Sequence, residues 1–317
     1  MGDLYLVTGG AGFIGSHVVT ELLRRGHAVR ILDNFSTGRR GNLDAVDGDV
    51  EVFEGDMRSY ERAHNAVKGV DLVIHLAALP SVPRSVQDPL TTNEANITGT
   101  LNVLLAARDN GARRVVLASS SSIYGANATM PKREDLMPEP ISPYAVSKLA
   151  AEQYARAFTT VYGLETVSLR YFNVFGPRQD PTSQYSGVVP RFMRLAVQGG
   201  RPVVFGDGEQ SRDFTYVANV VDATLSAATA PGAAGNICNI GCGDPKTVLD
   251  LIAAVSRVAG RPLEPEFAPP RPGDVKHSFA DIALARRLLG YEPRVGFDEG
   301  IERTFAWLVQ DMPGAPA

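Results

Sequence analysis

Cysteine is nearly absent from this chain, and long apolar runs are missing. Its 317 residues include two cysteines, Cys238 and Cys242, with no histidine cluster beside them. This excludes a disulfide framework and argues against a zinc site, so we expect two small buried side chains. No apolar run approaches the roughly 18 residues of a membrane-spanning helix, and the first residues lack a signal-peptide pattern. We therefore expect a soluble cytoplasmic protein.

The chain also lacks an excess of charge of either sign. Its 31 basic and 35 acidic residues give a net charge of -4. A nucleic-acid-binding surface needs clustered basic residues, and nothing in the composition suggests one. The hydrophobic fraction of 44% and the charged fraction of 21% are ordinary for a globular protein. The length suits one large α/β domain or two smaller lobes.

A glycine-rich turn near the beginning of the chain carries the first functional signal. The apolar run Leu4 to Val7 predicts a buried parallel strand, and it leads into T-G-G-A-G-F-I-G at positions 8–15. The turn opens a predicted helix from Ser16 to Arg25, which ends at Gly26. Glycines at this spacing allow a tight turn and a close approach of the backbone to a pyrophosphate at the helix N-terminus. The pattern predicts a dinucleotide-binding site.

An acidic residue at the end of the second predicted strand refines that prediction. The strand runs from Ala28 to Leu32 and ends in Asp33, eighteen residues beyond Gly15. A carboxylate at this place binds the ribose hydroxyls of the adenosine and repels a 2′-phosphate. The sequence therefore favours NAD over NADP.

Further strands and helices alternate along the chain, which predicts an α/β fold with a doubly wound parallel sheet of the NAD-binding Rossmann type. The predicted strands are Val50 to Glu54, Asp71 to Ala78, Arg113 to Ala118, Thr166 to Leu169 and Gly235 to Ile240; the predicted helices are Asn93 to Asn110, Tyr144 to Tyr162 and Asn219 to Thr229. After Gly176 prolines cluster and strands shorten, which predicts a smaller, interleaved substrate lobe. We assign residues 1–172 plus 214–241 to the NAD-binding domain and residues 173–213 plus 242–317 to the sugar-binding lobe.

The candidate catalytic group is Tyr144 with Lys148. On a helix this spacing places both side chains on one face, one turn apart. The lysine charge and an oxidised nicotinamide would favour the phenolate of a tyrosine whose ordinary pKa is about 10. Tyr144 would then accept a proton near neutral pH. Alone the pattern is weak, because a packed aromatic beside an exposed lysine has the same spacing.

Motifs along almost the whole chain resemble the extended short-chain dehydrogenase/reductase superfamily, and within it the UDP-hexose 4-epimerases. They are T-G-G-A-G-F-I-G (8–15), H-L-A-A (75–78), S-S-S-S-I-Y-G (119–125), S-P-Y-A-V-S-K (142–148), R-Y-F-N-V-F-G-P-R (170–178), S-R-D-F (211–214) and R-P-G-D (271–274). The resemblance implies that Ser120, Tyr144 and Lys148 are catalytic and that NAD stays bound. The C4 hydroxyl of a UDP-hexose would be inverted through a 4-keto sugar.

The resemblance also implies the binding residues. Cofactor contacts would come from Gly9, Gly12, Phe13, Ile14, Gly15, Asp33, Asn34, Ser36, Gly38, Asp56, Met57, Leu76, Ala77, Ala78, Asn96, Tyr144, Lys148 and Tyr171. Substrate contacts would come from Ser81, Ser120, Ser121, Tyr144, Asn173, Gln179, Gly187, Val188, Val189, Phe205, Arg212, Arg271, Asp274 and Ser278. Asn173, Arg212 and Arg271 would bind the diphosphate, and guanidinium groups suit phosphate oxygens. Arg271 is equally compatible with a surface ion pair, and Phe205 with a core aromatic.

Ser278 bears on the identity of the sugar. Family members restricted to glucose and galactose carry a tyrosine four residues after the aspartate that is Asp274 here. A serine leaves room for a 2-acetamido group, so UDP-N-acetylglucosamine and UDP-N-acetylgalactosamine are expected beside UDP-glucose and UDP-galactose. Sugar dehydratases of the superfamily carry an Asp–Glu pair where this chain has Ser121 and Ser122, and elimination needs such an acid.

Three alternatives stay open at this point. The chain is compatible with a UDP-glucuronate 4-epimerase or decarboxylase, although no residue stands out as partner for the extra carboxylate. A 4-ketoreductase or dehydratase uses the same scaffold. A non-catalytic nucleotide-sugar or NAD-binding protein would not need the tyrosine–lysine pair. The resemblance further implies a homodimer through the helices Asn93 to Asn110 and Tyr144 to Tyr162.

Overall fold

A parallel sheet of seven strands forms the centre of the molecule. The computed structural model describes residues 2–44, 46–181, 187–270 and 275–311. In chain order the strands are β1 (Leu4–Thr8), β2 (Ala28–Asp33), β3 (Val50–Glu54), β4 (Leu72–His75), β5 (Arg114–Ser120), β6 (Glu165–Tyr171), β7 (Val174–Phe175), β8 (Val203–Phe205), β9 (Ser211–Arg212), β10 (Thr215–Tyr216), β11 (Ile237–Ile240), β12 (Lys246–Thr247), β13 (Glu266–Ala268) and β14 (His277–Ser278). The central sheet has the order β11-β6-β5-β4-β1-β2-β3.

Helices connect the strands and cover the sheet. They are α1 (Phe13–Arg24), α2 (Gly41–Asp44), α3 (Tyr60–Val67), α4 (Val82–Gln87), α5 (Pro89–Asn93), α6 (Gly99–Asp109), α7 (Pro143–Tyr162), α8 (Val188–Gln198), α9 (Val217–Thr229), α10 (Val248–Val258), α11 (Ala283–Leu289) and α12 (Phe297–Asp311). A π-helical segment, Glu94–Thr98, joins α5 to α6, and a 3-10 turn, Ser121–Tyr124, follows β5.

The core has two layers, one on each face of the sheet. Successive strand residues point to opposite faces, so Val7 packs with the helices α1 and α9, whereas Leu6 packs with α3 and α6. Both side chains are fully buried. Strands buried on both faces read as continuous apolar runs, which is why the sequence identified them.

Because the strands are parallel, the carboxyl ends of four of them lie at the same edge of the central sheet. Thr8 pairs in register with Leu32 and with His75, and His75 pairs with Leu117. The strand order reverses between β1 and β4, because the chain runs outward from β1 to β3 and then returns to the other side. In such sheets ligands bind outside the carboxyl ends at the reversal. The glycine turn and the serine cluster both lie there.

The predicted fold class is confirmed, and two element boundaries are corrected. The helix expected over 93–110 begins earlier, at Pro89, where the Asp88 side chain accepts a hydrogen bond from the backbone of Thr91. It then passes through the π-helical segment before α6. The strand expected over 71–78 ends at His75, because residues 76–78 already form the wall of the cleft described below.

Apart from β11, which joins the central sheet, the described strands after residue 172 form three small sheets beside the edge that carries the strand ends. They are the pairs β7–β10 and β8–β13 and the triple β12-β9-β14. The short strands and clustered prolines of this half agree with the expected smaller lobe, while the domain boundaries themselves stay a prediction. Within the described ranges, no helix is long and apolar enough to cross a membrane.

Candidate active site

A long cleft of about 1410 Å³ follows the carboxyl edge of the sheet. Pockets for one small ligand typically hold about 300–1,000 Å³, so this cleft has room for a dinucleotide and a second nucleotide together. It brings together most of the residues predicted from the sequence. Those lining it are Gly9, Gly12, Phe13, Ile14, Gly15, Asp33, Asn34, Ser36, Gly38, Asp56, Met57, Leu76, Ala77, Ala78, Ser81, Ser120, Ser121, Tyr144, Lys148, Tyr171, Asn173, Gln179, Gly187, Arg212 and Ser278.

The glycine turn holds helix α1 against strand β1 more closely than any side chain permits. Gly9 has a φ of 71°, and a Cβ there would lie 2.8 Å from the backbone nitrogen of Ala77. A Cβ on Gly15 would lie 2.1 Å from the carbonyl oxygen of Gly9. A Cβ on Gly12 would meet only that same oxygen, at 3.1 Å. Gly9 and Gly15 are thus required by the fold, while Gly12 keeps the floor of the cleft open.

We expect Gly15→Ala to destabilise the protein and to release its cofactor. The new methyl group forces α1 away from the turn, and overpacking of this kind costs about 1–3 kcal/mol. Thermal unfolding and the nucleotide retained after gel filtration measure the two effects. Gly296→Ala is the matched control, because a Cβ there meets no atom within 4 Å. A Gly15→Ala protein that melts like wild type with full nucleotide would contradict the argument.

Asp33 closes the adenosine end of the cleft. Its Oδ2 accepts a hydrogen bond from the backbone of Ala11 at 3.0 Å, and its Oδ1 accepts one from Phe35 at 2.8 Å. Burial raises the pKa of this carboxyl, and these backbone hydrogen bonds oppose the rise. The carboxylate is held rigidly between the glycine turn and the strand end. A phosphate on the 2′-hydroxyl would meet its negative charge, which agrees with NAD rather than NADP.

Tyr144 stands in the first turn of helix α7, and two serines fix that turn. The helix begins sharply because Ser142 accepts a hydrogen bond from the backbone of Ala145 at 3.2 Å and Pro143 occupies the first helical position. The backbone nitrogen of Tyr144 has no partner within the helix, as at every helix N-terminus. It donates instead to Ser85 Oγ at 3.0 Å.

Lys148 lies one turn further along α7. Its Nζ donates to the carbonyl oxygen of Ala118 on β5 at 2.8 Å. Burial lowers the pKa of Lys148 to about 8, against the charge of Glu152, which raises it. Ser120, the last residue of β5, hydrogen-bonds Tyr144, and this bond lowers the tyrosine pKa. Strand β5 and helix α7 thus place the three predicted catalytic side chains side by side.

Burial dominates the pKa of Tyr144 and raises it above its ordinary value. Within the chain the lowering contribution comes from the Ser120 hydrogen bond and not, as expected, from Lys148, and burial outweighs it. The predicted proton acceptor requires a further positive charge beside the phenol, and an oxidised nicotinamide carries one.

The cleft fits NAD on three observations. The glycine floor admits a pyrophosphate, Asp33 is placed for ribose hydroxyls, and the small side chains of Ala77 and Ala78 leave the strand end open. Tyr144 and Lys148 lie on the wall facing that opening.

Two predicted substrate residues, one for the sugar and one for the diphosphate, are neighbours in the small three-stranded sheet. Ser278 and Arg212 are register partners in parallel strands, so both occupy the same stretch of cleft wall. Arg212 Nη1 donates to the carbonyl oxygens of Ser211, at 2.8 Å, and Lys276, at 3.2 Å, which orients the guanidinium. Gln179 lies 3.6 Å from a Cβ placed on Gly187. Its Oε1 is buried and has no hydrogen-bond partner among the described residues.

Several predicted residues do not line the cleft or cannot be placed. Asn96 is buried behind the wall, and its amide is used by Leu79 and Ser147. Val188, Val189 and Phe205 are not among the lining residues. Arg271 and Asp274 lie outside the described residues. The roles assigned to these six residues stay predictions.

His75 supports the glycine turn, and its role could not be seen in the sequence. Burial, with the nearby charge of Lys148, lowers its pKa to about 3, so the ring is neutral. Thr100 donates its hydroxyl proton to the Asn96 carbonyl and can only accept from His75 Nε2, at 3.0 Å. Nδ1 then accepts from Thr8 at 2.7 Å, and Thr8 accepts from the Ala77 backbone. The ring ties both walls of the cofactor site together.

The fold and site define an NAD-binding enzyme of the short-chain dehydrogenase/reductase type with a serine, a tyrosine and a lysine at its centre. A sequence model described as "NAD dependent epimerase/dehydratase family" matches residues 5–241, and the chain belongs to this family. NAD is its cofactor.

The chain is similar to UDP-glucose 4-epimerase of Mycolicibacterium smegmatis, with 39% identity over 94% of this chain and 96% of the relative. Two similar solved structures are a UDP-N-acetylglucosamine 4-epimerase of Methanobrevibacter ruminantium in complex with UDP-N-acetylmuramic acid and a UDP-glucose 4-epimerase of Thermotoga maritima with UDP-glucose. The first has a TM-score of 0.94 and 38% identity, covering 98% of this chain and 99% of the other. The second has a TM-score of 0.93 and 38% identity, covering 97% and 99%.

The relatives act on more than one sugar. A UDP-glucuronate 4-epimerase of Thermodesulfobacterium geofontis is 35% identical over 97% of this chain and 97% of its own. A UDP-N-acetyl-alpha-D-glucosaminuronate decarboxylase of Bacillus cytotoxicus is 34% identical, covering 95% of this chain and 96% of its own. The family membership therefore establishes a UDP-sugar enzyme related to 4-epimerases and leaves the sugar open.

Proposed function

We propose that the protein inverts the C4 hydroxyl of UDP-N-acetylglucosamine and UDP-N-acetylgalactosamine, and also that of UDP-glucose and UDP-galactose. One observation carries the proposal: Ser120, Tyr144 and Ser278 line the same cleft as the residues predicted to bind the cofactor. The first two supply the proton chemistry. Ser278 supplies space where a larger side chain would exclude an acetamido group.

The residues of the chain divide the reaction between them. The glycine turn and Asp33 would hold NAD, which would supply reversible hydride acceptance and, in its oxidised form, a positive charge that favours the Tyr144 phenolate. Tyr144 removes the proton from the 4-hydroxyl and later gives it back to the same oxygen. Ser120 hydrogen-bonds that hydroxyl and keeps it beside the phenol. Lys148, anchored on the Ala118 carbonyl, holds its charge next to the site.

The sugar nucleotide would be held by residues of the smaller lobe, 173–213 plus 242–317. Arg212 is oriented toward the cleft by two backbone carbonyls and suits a diphosphate. Inversion requires the 4-keto sugar to turn while its diphosphate stays fixed. The buried, unpartnered Gln179 Oε1 gives the described part of the pocket a hydrogen-bond acceptor for sugar hydroxyls or an acetamide N–H.

The residues that follow Ser120 disfavour the elimination of water from the sugar. Ser121 and Ser122 line the cleft directly after Ser120. A hydroxyl with an ordinary pKa does not donate a proton to a departing hydroxyl group as a carboxylic acid does. This supports epimerisation over dehydration.

Incubation of the purified protein with UDP-N-acetylglucosamine, with products resolved by NMR, tests the proposal. We expect the galacto isomer to form without net consumption of NAD. A 4-keto-6-deoxy product would make the protein a dehydratase. Turnover of UDP-glucuronate alone would move it to the glucuronate enzymes. Unchanged substrate across all these UDP-sugars would favour a binding protein.

We further propose a cytoplasmic homodimer. Both α5 and α7 carry exposed apolar side chains that a second copy could cover: Leu90 on α5 is 77% exposed, and Val161 and Tyr162 on α7 are 68% and 51% exposed. Surfaces of this kind mark interaction sites. Light scattering of the purified chain measures the oligomeric state, and a monomer at micromolar concentration would contradict the proposal.

A further inference from the structure

A buried ion pair lies directly behind the catalytic residues. Glu152, one turn beyond Lys148 on α7, is fully buried. Its Oε1 accepts hydrogen bonds from Arg170 Nε at 2.9 Å and from Ser119 Oγ at 2.5 Å. Its Oε2 accepts one from Arg170 Nη2 at 2.9 Å. One carboxylate therefore joins α7 to the ends of β5 and β6 at the edge where the reaction takes place.

Stability alone does not account for charges at this place. Burying an ion pair costs solvation energy, and an apolar pair of the same volume is often as stable. The ion pair instead contributes orientation, because a forked guanidinium–carboxylate contact fixes how its two partners are oriented relative to each other. Here the oriented carboxylate has an additional acceptor position, and Ser119 occupies it.

The position of Ser119 in the chain links this cluster to the chemistry. Ser119 and Ser120 are consecutive residues of β5, so a hydrogen bond that holds one fixes the backbone of the other. Glu152 and Tyr144 are both on α7. The Ser119–Glu152 bond thus connects the strand that carries the Ser120 hydroxyl to the helix that carries the Tyr144 hydroxyl. Glu152 is held in turn by Arg170.

We propose that Ser119, Glu152 and Arg170 are positioning residues that keep the Ser120 hydroxyl within hydrogen-bonding reach of the Tyr144 hydroxyl. The cluster leaves the reacting atoms untouched and acts through Ser120. A misplacement of about 1 Å in such a pair can cost up to 100-fold in rate.

Ser119→Ala tests the proposal, with Thr166→Val as its matched control. Both changes delete one buried hydroxyl that ties the sheet to α7. Thr166 Oγ1 donates to the carbonyl oxygen of Ala155 at 2.8 Å. Ala155 is on α7, as Glu152 is, but Thr166 lies near the beginning of β6, at the end away from Arg170 and its register partner Ser119. We expect both variants to melt at lower temperature. Only Ser119→Ala should lower kcat, by about 10- to 100-fold with KM little changed, and Ser119→Thr should restore it.

A second readout follows Tyr144 itself. Its ionisation is measured by ultraviolet difference titration, as wild type minus Tyr144→Phe and as Ser119→Ala minus the Ser119→Ala/Tyr144→Phe double variant. The neighbouring titratable groups are Lys148 on α7 and the two groups coupled to its charge, Glu152 on α7 and His75 on β4, and all three are the same in both pairs. We expect a higher Tyr144 pKa in the Ser119→Ala pair, because the Ser120 bond lowers it.

The kinetic readout rests on the proposed function, whereas the titration does not. If wild type turns over no UDP-sugar but the Tyr144 pKa shifts, the proposed function fails and the positioning role stands. An unchanged titration in Ser119→Ala, or equal losses of kcat in Ser119→Ala and Thr166→Val, would overturn the positioning role. Failure of Ser119→Thr to recover both readouts would also overturn it.

Discussion

Tyr144→Phe is expected to lower kcat by about 10²- to 10⁴-fold, the usual contribution of a positioned acid–base group. The ring stays in place, because Ser85 supports the backbone nitrogen of residue 144 independently of the side chain. Only the phenolic oxygen is lost, which is the group proposed to take the 4-hydroxyl proton. KM for the UDP-sugar and the amount of bound NAD should change little. Steady-state kinetics and nucleotide analysis of the purified variant measure these quantities.

Tyr154→Phe is the control for that experiment. Tyr154 is on the same helix, and 39% of it is exposed to solvent. It lies outside the residues that line the cleft. Its variant should keep wild-type kcat within about twofold, as expected for a surface change away from the site. A Tyr144→Phe enzyme that stays within tenfold of wild type would show that another group accepts the proton.

Local sequence signals predicted the strands, the glycine turn and the position of Asp33 at the edge of the sheet, for reasons visible in the structure. Strands buried on both faces must be apolar throughout, which marks β1 and β4 without any knowledge of their neighbours. Gly15 is required by contacts within the turn itself, and Gly9 by its positive φ of 71°, although the residue that a Cβ on Gly9 would meet, Ala77, is distant in the chain. Asp33 follows its strand directly. Each of these features depends on residues close in the chain or on the general direction of a parallel sheet.

The supporting residues depend on tertiary contacts and were not predicted. Glu152 is separated from Ser119 by 33 residues, and His75 from Thr8 by 67. A glutamate on a helix normally faces water, so its residue type alone predicts a surface position. Glu152 is buried, and bonded to Ser119 and Arg170, only because β5 and β6 pack beside α7 in the folded chain. A search for charged residues one turn beyond the catalytic lysine could have marked Glu152 as a candidate.

For the substrate half, the sequence suggested which residues take part but not how they are arranged. These residues come from separate short strands, and their arrangement depends on how those strands pair. Ser278 and Arg212 are far apart in sequence and meet only through the pairing of β14 with β9. The backbone nitrogen of Asp213 also donates to the Ser278 carbonyl at 3.1 Å, which fixes residue 278 against the S-R-D-F segment. A larger side chain at position 278 therefore cannot move away with its strand. It must project from a fixed backbone into the cleft or displace the ligand.

Ser278→Tyr is accordingly expected to separate the two classes of sugar. The phenol takes the space that an acetamido group would need, so kcat/KM for UDP-N-acetylglucosamine should fall by at least about 100-fold, in the range that a size mismatch in a pocket produces. UDP-glucose lacks that group and should retain measurable turnover. Ser278→Ala removes the hydroxyl without adding volume, and it should leave the ratio of the two activities near that of wild type. Both substrates are assayed with each variant by NMR. Equal loss of both activities in Ser278→Tyr would mean that residue 278 supports the pocket as a whole, and the choice of sugar would then have to be made by another part of the wall.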